Sequence, residues 1–262
     1  MKIVVCVKQV PATDNASIDP VTKRIVREGL KSILNPFDLY AVEEAISMRE
    51  RFGGEVVALS MGPEKASAAL REAIAIGVDR GVLLSDGAFG GSDTWATSYA
   101  LFRAIDTIGG VDLVICGKQA VDGDTAQVGP GIAAHQDWQQ ATYVTDISDY
   151  REGCITVTRM NENGSDICEI QLPAVLTVVK GINSPRVPTL KSVLAANASE
   201  IPVWKPDDIG AERSKIGLEP SPTRVEKTQP PPPRGGETER ITGSPTDCAG
   251  QMIASLRRRG LI

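Results

Sequence analysis

Through the first two thirds of the chain, dense runs of Val, Ile and Leu alternate with longer stretches in which apolar residues return every three or four positions. Residues 2–10, 55–60, 80–84 and 112–116 show little polar alternation, the pattern of strands buried on both faces. A turn and a helical pattern follow each run. Asn35 stands where a helix cap belongs, and Pro36 takes the first helical position, where a missing N–H costs nothing. Phe37, Ala41, Ala45 and Ile46 then form an apolar stripe that stops at Gly53 and Gly54. The next helix starts at Pro63, buries Ala66, Ala69, Leu70, Ala73 and Ile74, and ends at Gly77. A third begins at Ser92 or Asp93 and runs through Tyr99, Phe102 and Ile105 to Gly109, and a fourth starts within residues 117–129. This alternation predicts an α/β protein, a Rossmann-like, mostly parallel sheet with helices on both faces.

Beyond Trp138 the pattern changes. Residues 154–160 and 167–172 flank the polar turn NENGSD and predict an added antiparallel hairpin, and 174–179 predicts another buried strand. From residue 202 the apolar periodicity thins, and QPPPPRGGETER at 229–240 cannot build a core and reads as a linker, extended or disordered. Helical character returns over 245–261, where Met252, Ile253 and Leu256 share a face and Arg257, Arg258 and Arg259 occupy the end that suits positive charge. The expected organisation is one α/β domain over 1–201 and a C-terminal arm over 202–262. The last helix of that arm needs a surface to dock on, that of another chain.

Composition narrows the function classes. The 262 residues are 42% apolar and 23% charged, ordinary for a globular chain. With 33 acidic residues against 28 basic ones and no basic stripe, nucleic-acid binding is not expected. Five scattered cysteines, with no C-x-x-C pair for zinc, an iron–sulfur cluster or a redox disulfide, read as reduced, mostly buried thiols. The opening MKIVVCVKQVP is too short an apolar run for a signal peptide or a membrane span, so a cytoplasmic or organelle-matrix location is expected, with no transmembrane segment.

The usual nucleotide fingerprints are missing. Lys8, Gln9, Val10 and Pro11 stand where G-x-G-x-x-G would follow the first strand, and Gly117-Lys118 is followed by Gln119, not by the Ser or Thr of a P-loop. Two glycine-bearing loops remain. GKQAVDGDTAQVG at 117–129 leaves a buried strand and opens a helix; its small residues allow close backbone approach, and Thr125 with the free N–H groups of the new helix suits phosphate oxygens. The alternative is a plain strand-to-helix turn capped by Asp122 and Asp124. FGGSDTWATS at 89–98 has the same placement, with Gly90, Gly91, Thr94 and Thr97 available to a diphosphate. It resembles the SGGxDS loop of ATP pyrophosphatases, except that Phe89 replaces the leading Ser and the loop follows the third strand instead of the first. Acid–base candidates do not emerge: His135, the only histidine, reads as a packing or surface residue, and adjacent Glu43 and Glu44 read as a solvated helix surface.

Six stretches taken in order, VVCVKQVP (4–11), NPFDLYAVEEA (35–45), MGP (61–63), CGKQAVDGDTAQVGP (116–130), LPAVLTV (172–178) and PRVPTL (185–190), resemble the beta subunit of electron-transfer flavoproteins, nearest to the electron-bifurcating, two-FAD type. The similarity spans essentially the whole chain. It implies a heterodimer with an alpha subunit, which the C-terminal arm wraps, and a beta-subunit pocket that holds AMP in the housekeeping type or a second FAD in the bifurcating type. Carried over by motif, that pocket comprises Cys6, Asn35, Pro36, Phe37, Asp38, Met61 and Gly62. It also takes in the loop of Gly117, Lys118, Gln119, Ala120, Val121, Asp122, Gly123, Asp124, Thr125, Ala126, Gln127 and Val128. The AMP-only type resembles KQAIDDDCNQTG in this loop. KQAVDGDTAQVG, with Gly123, Thr125, Ala126 and Val128 at differing positions, is similar to the bifurcating type, and its smaller edges leave room for a diphosphate and the rest of FAD. The 89–98 loop is also similar to the bifurcating type and adds Thr94 and Thr97; no catalytic or metal-binding residue is implied.

The function implied by the resemblance is electron relay between NADH or an acyl-CoA dehydrogenase and the alpha-subunit FAD. In the bifurcating version ferredoxin or flavodoxin takes the low-potential electron. The alternative is an AMP-binding structural subunit of a non-bifurcating protein. PRVPTLKSVL at 185–194 is implied as the docking loop for acyl-CoA dehydrogenases, with Leu190 as apolar anchor, against a helix start that packs Leu190 inward. Ala195, Ala196, Asn197 and Ala198 stand where the family carries a run of lysines. A bacterial or archaeal cytoplasm is implied ahead of a mitochondrial matrix.

Overall fold

Aliphatic runs with no polar face must be covered on both sides, and the computed structural model, which describes residues 1–12, 32–151, 153–226 and 238–262, does this with helices. In chain order the elements are β1 (Lys2–Cys6), β2 (Gln9–Pro11), β3 (Ser32–Leu34), α1 (Pro36–Phe52), β4 (Glu55–Met61), α2 (Ser67–Ile76), β5 (Arg80–Leu84) and α3 (Thr94–Ile108). Then come β6 (Leu113–Gly117), α4 (Val128–Gln136), β7 (Gln139–Arg151), β8 (Cys154–Asn161), β9 (Gly164–Gln171), β10 (Ala174–Val178), α5 (Leu190–Ala198), β11 (Val203–Trp204) and α6 (Pro245–Arg258).

One sheet runs in the order β11-β5-β4-β1-β6-β10-β7-β8-β9. Every pairing from β11 to β7 is parallel; β7–β8 and β8–β9 are antiparallel, the predicted hairpin plus a long strand leading into it. Alternate residues of β1 feed two cores. Ile3 and Val5 face a cluster containing Ala41, Ala45, Ile46 and Leu70, whereas Val4 and Cys6 face one containing Ala100, Ala104, Ile132 and Ala133. Strand order reverses at β1, which has β4 on one side and β6 on the other, so a crevice opens there at the carboxyl ends of the strands.

The structure departs from the expected elements in three places. The first run does not form one strand to residue 10: β1 stops at Cys6, and β2 pairs antiparallel with β3 in a separate two-stranded sheet. The cause is local, because the Lys8 N–H bonds to the Asp38 carboxylate (2.8 Å) and leaves the ladder. Strand β7 carries no legible strand pattern, since Ala141, Val144 and Ile147 are buried three residues apart and register shifts at bulges erase the period of two. Third, the compact unit Met1–Lys227 continues past residue 202, where the arm was expected to begin: β11 pairs with β5, and Ile209 and Ile216 are buried in the second core.

The second unit, Thr228–Ile262, contains α6, capped by Ser244, whose hydroxyl accepts from the Asp247 N–H (3.3 Å). Glu239 holds its last turns, accepting from Ser255 Oγ (2.6 Å), Arg258 (3.2 Å) and Arg259 (3.1 Å). Most of the expected linker at 229–240 lies outside the described residues. No described helix is long and apolar enough to cross a membrane.

Candidate functional site

The crevice beside β1 is built around one buried amide. Asn35 sits at the N-cap position of α1, yet its side chain makes no cap there, contrary to the sequence expectation. Its Oδ1 accepts from the Val121 N–H (3.1 Å), and its Nδ2 donates to the Gln119 carbonyl (2.9 Å) and to Asp38 Oδ1 (2.9 Å). The head of α1 is therefore bolted to the loop after β6. Asp38 completes the bolt by accepting from the Lys8 N–H at the end of β1. Burial pushes the Asp38 carboxyl up to about 7, against the opposing pull of its bonds to Asn35 and Lys8.

Gly117 makes this closeness possible. A Cβ placed there would lie 2.7 Å from the Phe37 carbonyl carbon and 2.8 Å from the Asp38 nitrogen, and would overlap Asp38 Oδ1. Only glycine lets β6 end against the first turn of α1. The floor between the strands is a thiol pair, because Cys6 and Cys116 are register partners on β1 and β6 and both are buried. The hydrogen bond with Cys6 and burial push the Cys116 thiol up, so Cys116 does not behave as a reactive surface cysteine. All five cysteines are free; two are buried and three partly buried.

The loop itself is not the plain capped turn. Asp122 pairs with Lys8 Nζ (2.7 Å), and Asp124 accepts from the Gln119 amide, so neither caps α4. The N-cap residue is Gln127, and no side chain caps the helix, which leaves the first-turn N–H groups pointing out of its N-terminus. Asp124 (φ 54°) and Ala126 (φ 55°) take the left-handed conformation that turns the chain back toward α4. Gly129 and Gly131 then let α4 approach its neighbours, with Thr177 Cγ2 2.6 Å and Ser98 Oγ 2.5 Å from where their Cβ atoms would be. An anion set before α4 would meet helix-end N–H groups and a favourable dipole.

The structure brings Cys6, Asn35, Pro36, Phe37, Asp38, Gly117, Lys118, Gln119, Ala120, Val121 and Asp122 together in one place, with residues 123–128 forming its rim. Met61 ends the adjacent strand β4 and Gly62 follows it, two and three residues past Leu59, the partner of Cys6. Thr94 and Thr97 stand farther off on the first turn of α3, and among the described residues no hydrogen bond joins them to the loop. Ser98, on the same helix, packs closely against Gly131 of α4. Asp93, the cap of α3, is partly desolvated, yet hydrogen bonds from Ala96 and Thr223 hold its carboxyl below the usual range.

Sequence reasoning missed Lys8, Tyr143 and Lys180. Lys118 Nζ lies between the rings of Phe37 (5.6 Å) and Tyr143 (5.5 Å), and a cavity of about 290 Å³ beside it is lined by Phe37, Lys118, Met160 and Lys180. Tyr143 has φ 58°, a costly conformation for a bulky residue, and sits at the β7 bulge with its N–H bonded to Thr177 Oγ1 (3.2 Å). Tandem lysines at the ends of strands, Lys8, Lys118 and Lys180, were the available signal. His135, expected to be a packing or surface residue, is half-buried against Trp95, Tyr99 and Phe102, and burial lowers its pKa.

Two expectations resolve in opposite directions. Leu190 does not pack inward; it is 76% exposed at the start of α5, beside Val187 (87%) and Leu194 (62%). Glu43 and Glu44 are not a solvated surface: both are buried, Glu43 against Arg186 and Glu44 against Asn183 (3.0 Å). Their partners come from about 140 residues away, which helix spacing cannot reveal. Among the described residues no group of three or more His, Cys, Asp or Glu side chains is placed to hold a metal.

Fold and site together define a Rossmann-like α/β chain with an anion-favouring crevice at the reversal point of its parallel sheet. The family model described as electron transfer flavoprotein domain matches residues 22–209. "Electron transfer flavoprotein subunit beta" of Thermoanaerobacterium thermosaccharolyticum is 45% identical over all of both chains, and "Caffeyl-CoA reductase-Etf complex subunit CarD" of Acetobacterium woodii is likewise 45% identical over all of both. "Protein FixA" of Sinorhizobium fredii is 42% identical, covering 98% of this chain and 93% of that one. The chain belongs to the electron transfer flavoprotein family, on its beta-subunit side, and its role lies in electron transfer with an alpha subunit as the implied partner.

Proposed function

We propose that this chain binds FAD across the carboxyl ends of β1 and β6 and relays electrons between NADH or an acyl-CoA dehydrogenase and a flavin held by the alpha subunit. The observation that carries the reading is the loop 117–128, pinned by Asn35 and Asp38 and opening onto an α4 whose N-terminus no side chain caps. Its amides and that helix end would hold the diphosphate, with Thr125 at the rim. Phe37 and the face of the thiol pair would flank the nucleoside, and Lys118, held between two rings, would place a fixed positive charge beside the crevice. Met61 and Gly62 would border the site from β4, and Thr94 and Thr97 its far side. When bound, the flavin supplies the redox chemistry; the chain orients it, screens it and sets the charge around it.

The name of the relative that belongs to a caffeyl-CoA reductase complex fits coupling to an acyl-CoA-type reductase, and with it the bifurcating form in which ferredoxin or flavodoxin is a second acceptor. We place the arm, residues 228–262, on the alpha subunit, and the exposed Val187, Leu190 and Leu194 against an acyl-CoA dehydrogenase-type partner.

The second reading, AMP held as a structural group, draws on the same loop and helix end, which also suit one phosphate. Extraction of nucleotides from the purified complex with the alpha subunit decides between them. Two FAD per heterodimer supports the first reading, and one FAD with one AMP supports the second. NADH titration of a two-FAD complex then reports whether this chain's flavin accepts the hydride.

A further inference from the structure

Residues 184–189, between β10 and α5, have no regular backbone structure, yet they present Val187 and lead into Leu190. A loop that offers large apolar side chains to solvent needs something to fix its path, since ordering each residue costs backbone entropy. Among the described residues that fixation comes from α1. The Arg186 backbone N–H donates to Glu43 Oε2 (3.0 Å), while its Nε and Nη2 fork onto the same carboxylate at 2.9 Å each. Its Nη1 and Nη2 then fork onto Glu50 at 2.7 and 3.0 Å. Asn183 adds bonds to the Tyr40 carbonyl and Glu44 Oε2, both 3.0 Å. Two bidentate pairs on one guanidinium fix position and orientation together, which lysine cannot do. They also raise the Arg186 pKa.

The helix that receives this fork is the one whose head is bolted to the crevice. Asn35 and Asp38 engage the loop after β6, and Glu43 and Glu50 of the same rigid element engage Arg186. We propose that Arg186 is the positioning residue of the docking loop, using α1 as a strut that sets Val187, Leu190 and Leu194 at a fixed distance and angle from the nucleotide crevice. This rests on the reading that the exposed patch receives the dehydrogenase. For an electron carrier that angle matters, because a partner docked out of line is docked at the wrong separation.

The test uses the complex with the alpha subunit, with a bacterial acyl-CoA dehydrogenase and butyryl-CoA as the reducing probe. R186Q should raise hydrogen exchange over residues 182–189 and raise KM for the complex by about 5-fold, with R186K giving no more than partial rescue. Flavin and AMP content should stay as in the wild type. L190A, at an exposed side chain, should raise KM without altering exchange. If L190A raises KM while R186Q leaves both KM and exchange unchanged, the positioning role fails and the docking reading stands. If L190A leaves KM unchanged, the docking reading fails and the proposal falls with it. Should R186Q not fold, R186K alone decides: wild-type exchange and wild-type KM overturn the proposal.

Discussion

The two ends of α1 solve the same problem, attachment of a distant loop, with opposite chemistry. At its head, Asn35 and Asp38 are buried and use short-range hydrogen bonds to hold residues 117–121. Farther along, Arg186 uses charge to hold residues 183–190, and its outer partner Glu50 stands half in water. A buried neutral bolt is costly to break, because each orphaned group loses water as well as its partner. The outer arm of the fork, Arg186 to Glu50, is cheap to loosen, because solvent and salt substitute for the lost partner. On the proposed reading, the head would suit a permanent ligand site and the outer arm of the fork a surface that meets and releases a partner.

The sharpest way to break the head is Gly117→Ala. The added methyl would meet backbone atoms of Phe37 and Asp38 that cannot rotate away. We expect a loss of about 3 kcal/mol, together with loss of bound nucleotide, read by denaturant unfolding and nucleotide extraction. A variant as stable and as loaded as the wild type would show that the β6 end does not depend on that closeness.

Asn35→Ala comes next. It orphans the Val121 N–H and the Gln119 carbonyl and removes one donor to Asp38, for an expected cost of about 2 kcal/mol. The isosteric Asn35→Asp is expected to do no better, since it places a second carboxylate where an amide nitrogen now sits 2.9 Å from Asp38 Oδ1. Equal stability and equal nucleotide content in both variants would remove Asn35 from its central place.

Much of this was legible in the chain itself. The four buried parallel strands, the helix starts at Pro36 and Asp93, the glycine stops and the 154–172 hairpin follow from local pattern, because burial on both faces and capping chemistry write themselves into neighbouring residues. The candidate crevice residues came from motif resemblance, and the fold brings most of them together. What stayed hidden has a common cause, dependence on residues far away in sequence. Asn35 looked like a cap because caps are local, whereas its real partners are 84 and 86 residues on. Glu43 and Glu44 looked solvated because Arg186 and Asn183 lie about 140 residues away. Strand β7 failed for a different reason, as its bulges destroy the period by which a strand is recognised.

The buried head also predicts a pH signature opposite in sign to that of the fork. Asp38 has its carboxyl raised from 3.8 to about 7, so the folded chain holds a proton there that the unfolded chain has released. Its contribution is therefore fully present below pH 3.8 and is lost as pH rises toward and through 7. Asp38→Asn removes the titration. The stability difference between wild type and variant should drift on the order of 4 kcal/mol across that window, with the wild type relatively better at low pH. A difference that is flat from pH 4 to 8 would place the Asp38 carboxylate in a far more polar setting than its burial indicates.

The smallest effect is expected at the fork's outer arm, and its smallness is informative. Glu50→Gln leaves Arg186 its buried partner Glu43 and removes a charge that is half in solvent, so the stability cost should be about 0.5 kcal/mol. The bonds to Arg186 hold the Glu50 carboxyl below its usual range, so the cost should also vanish as pH falls and the wild-type Glu50 itself becomes neutral. Raising ionic strength should shrink the difference in the same way, because a pair at the surface is screened. Asn35→Ala should show no such salt dependence, since none of its lost bonds carries a free charge to solvent. A salt-insensitive Glu50→Gln would mean that the fork is as deeply built into the fold as the bolt, and the contrast between the two ends of α1 would dissolve.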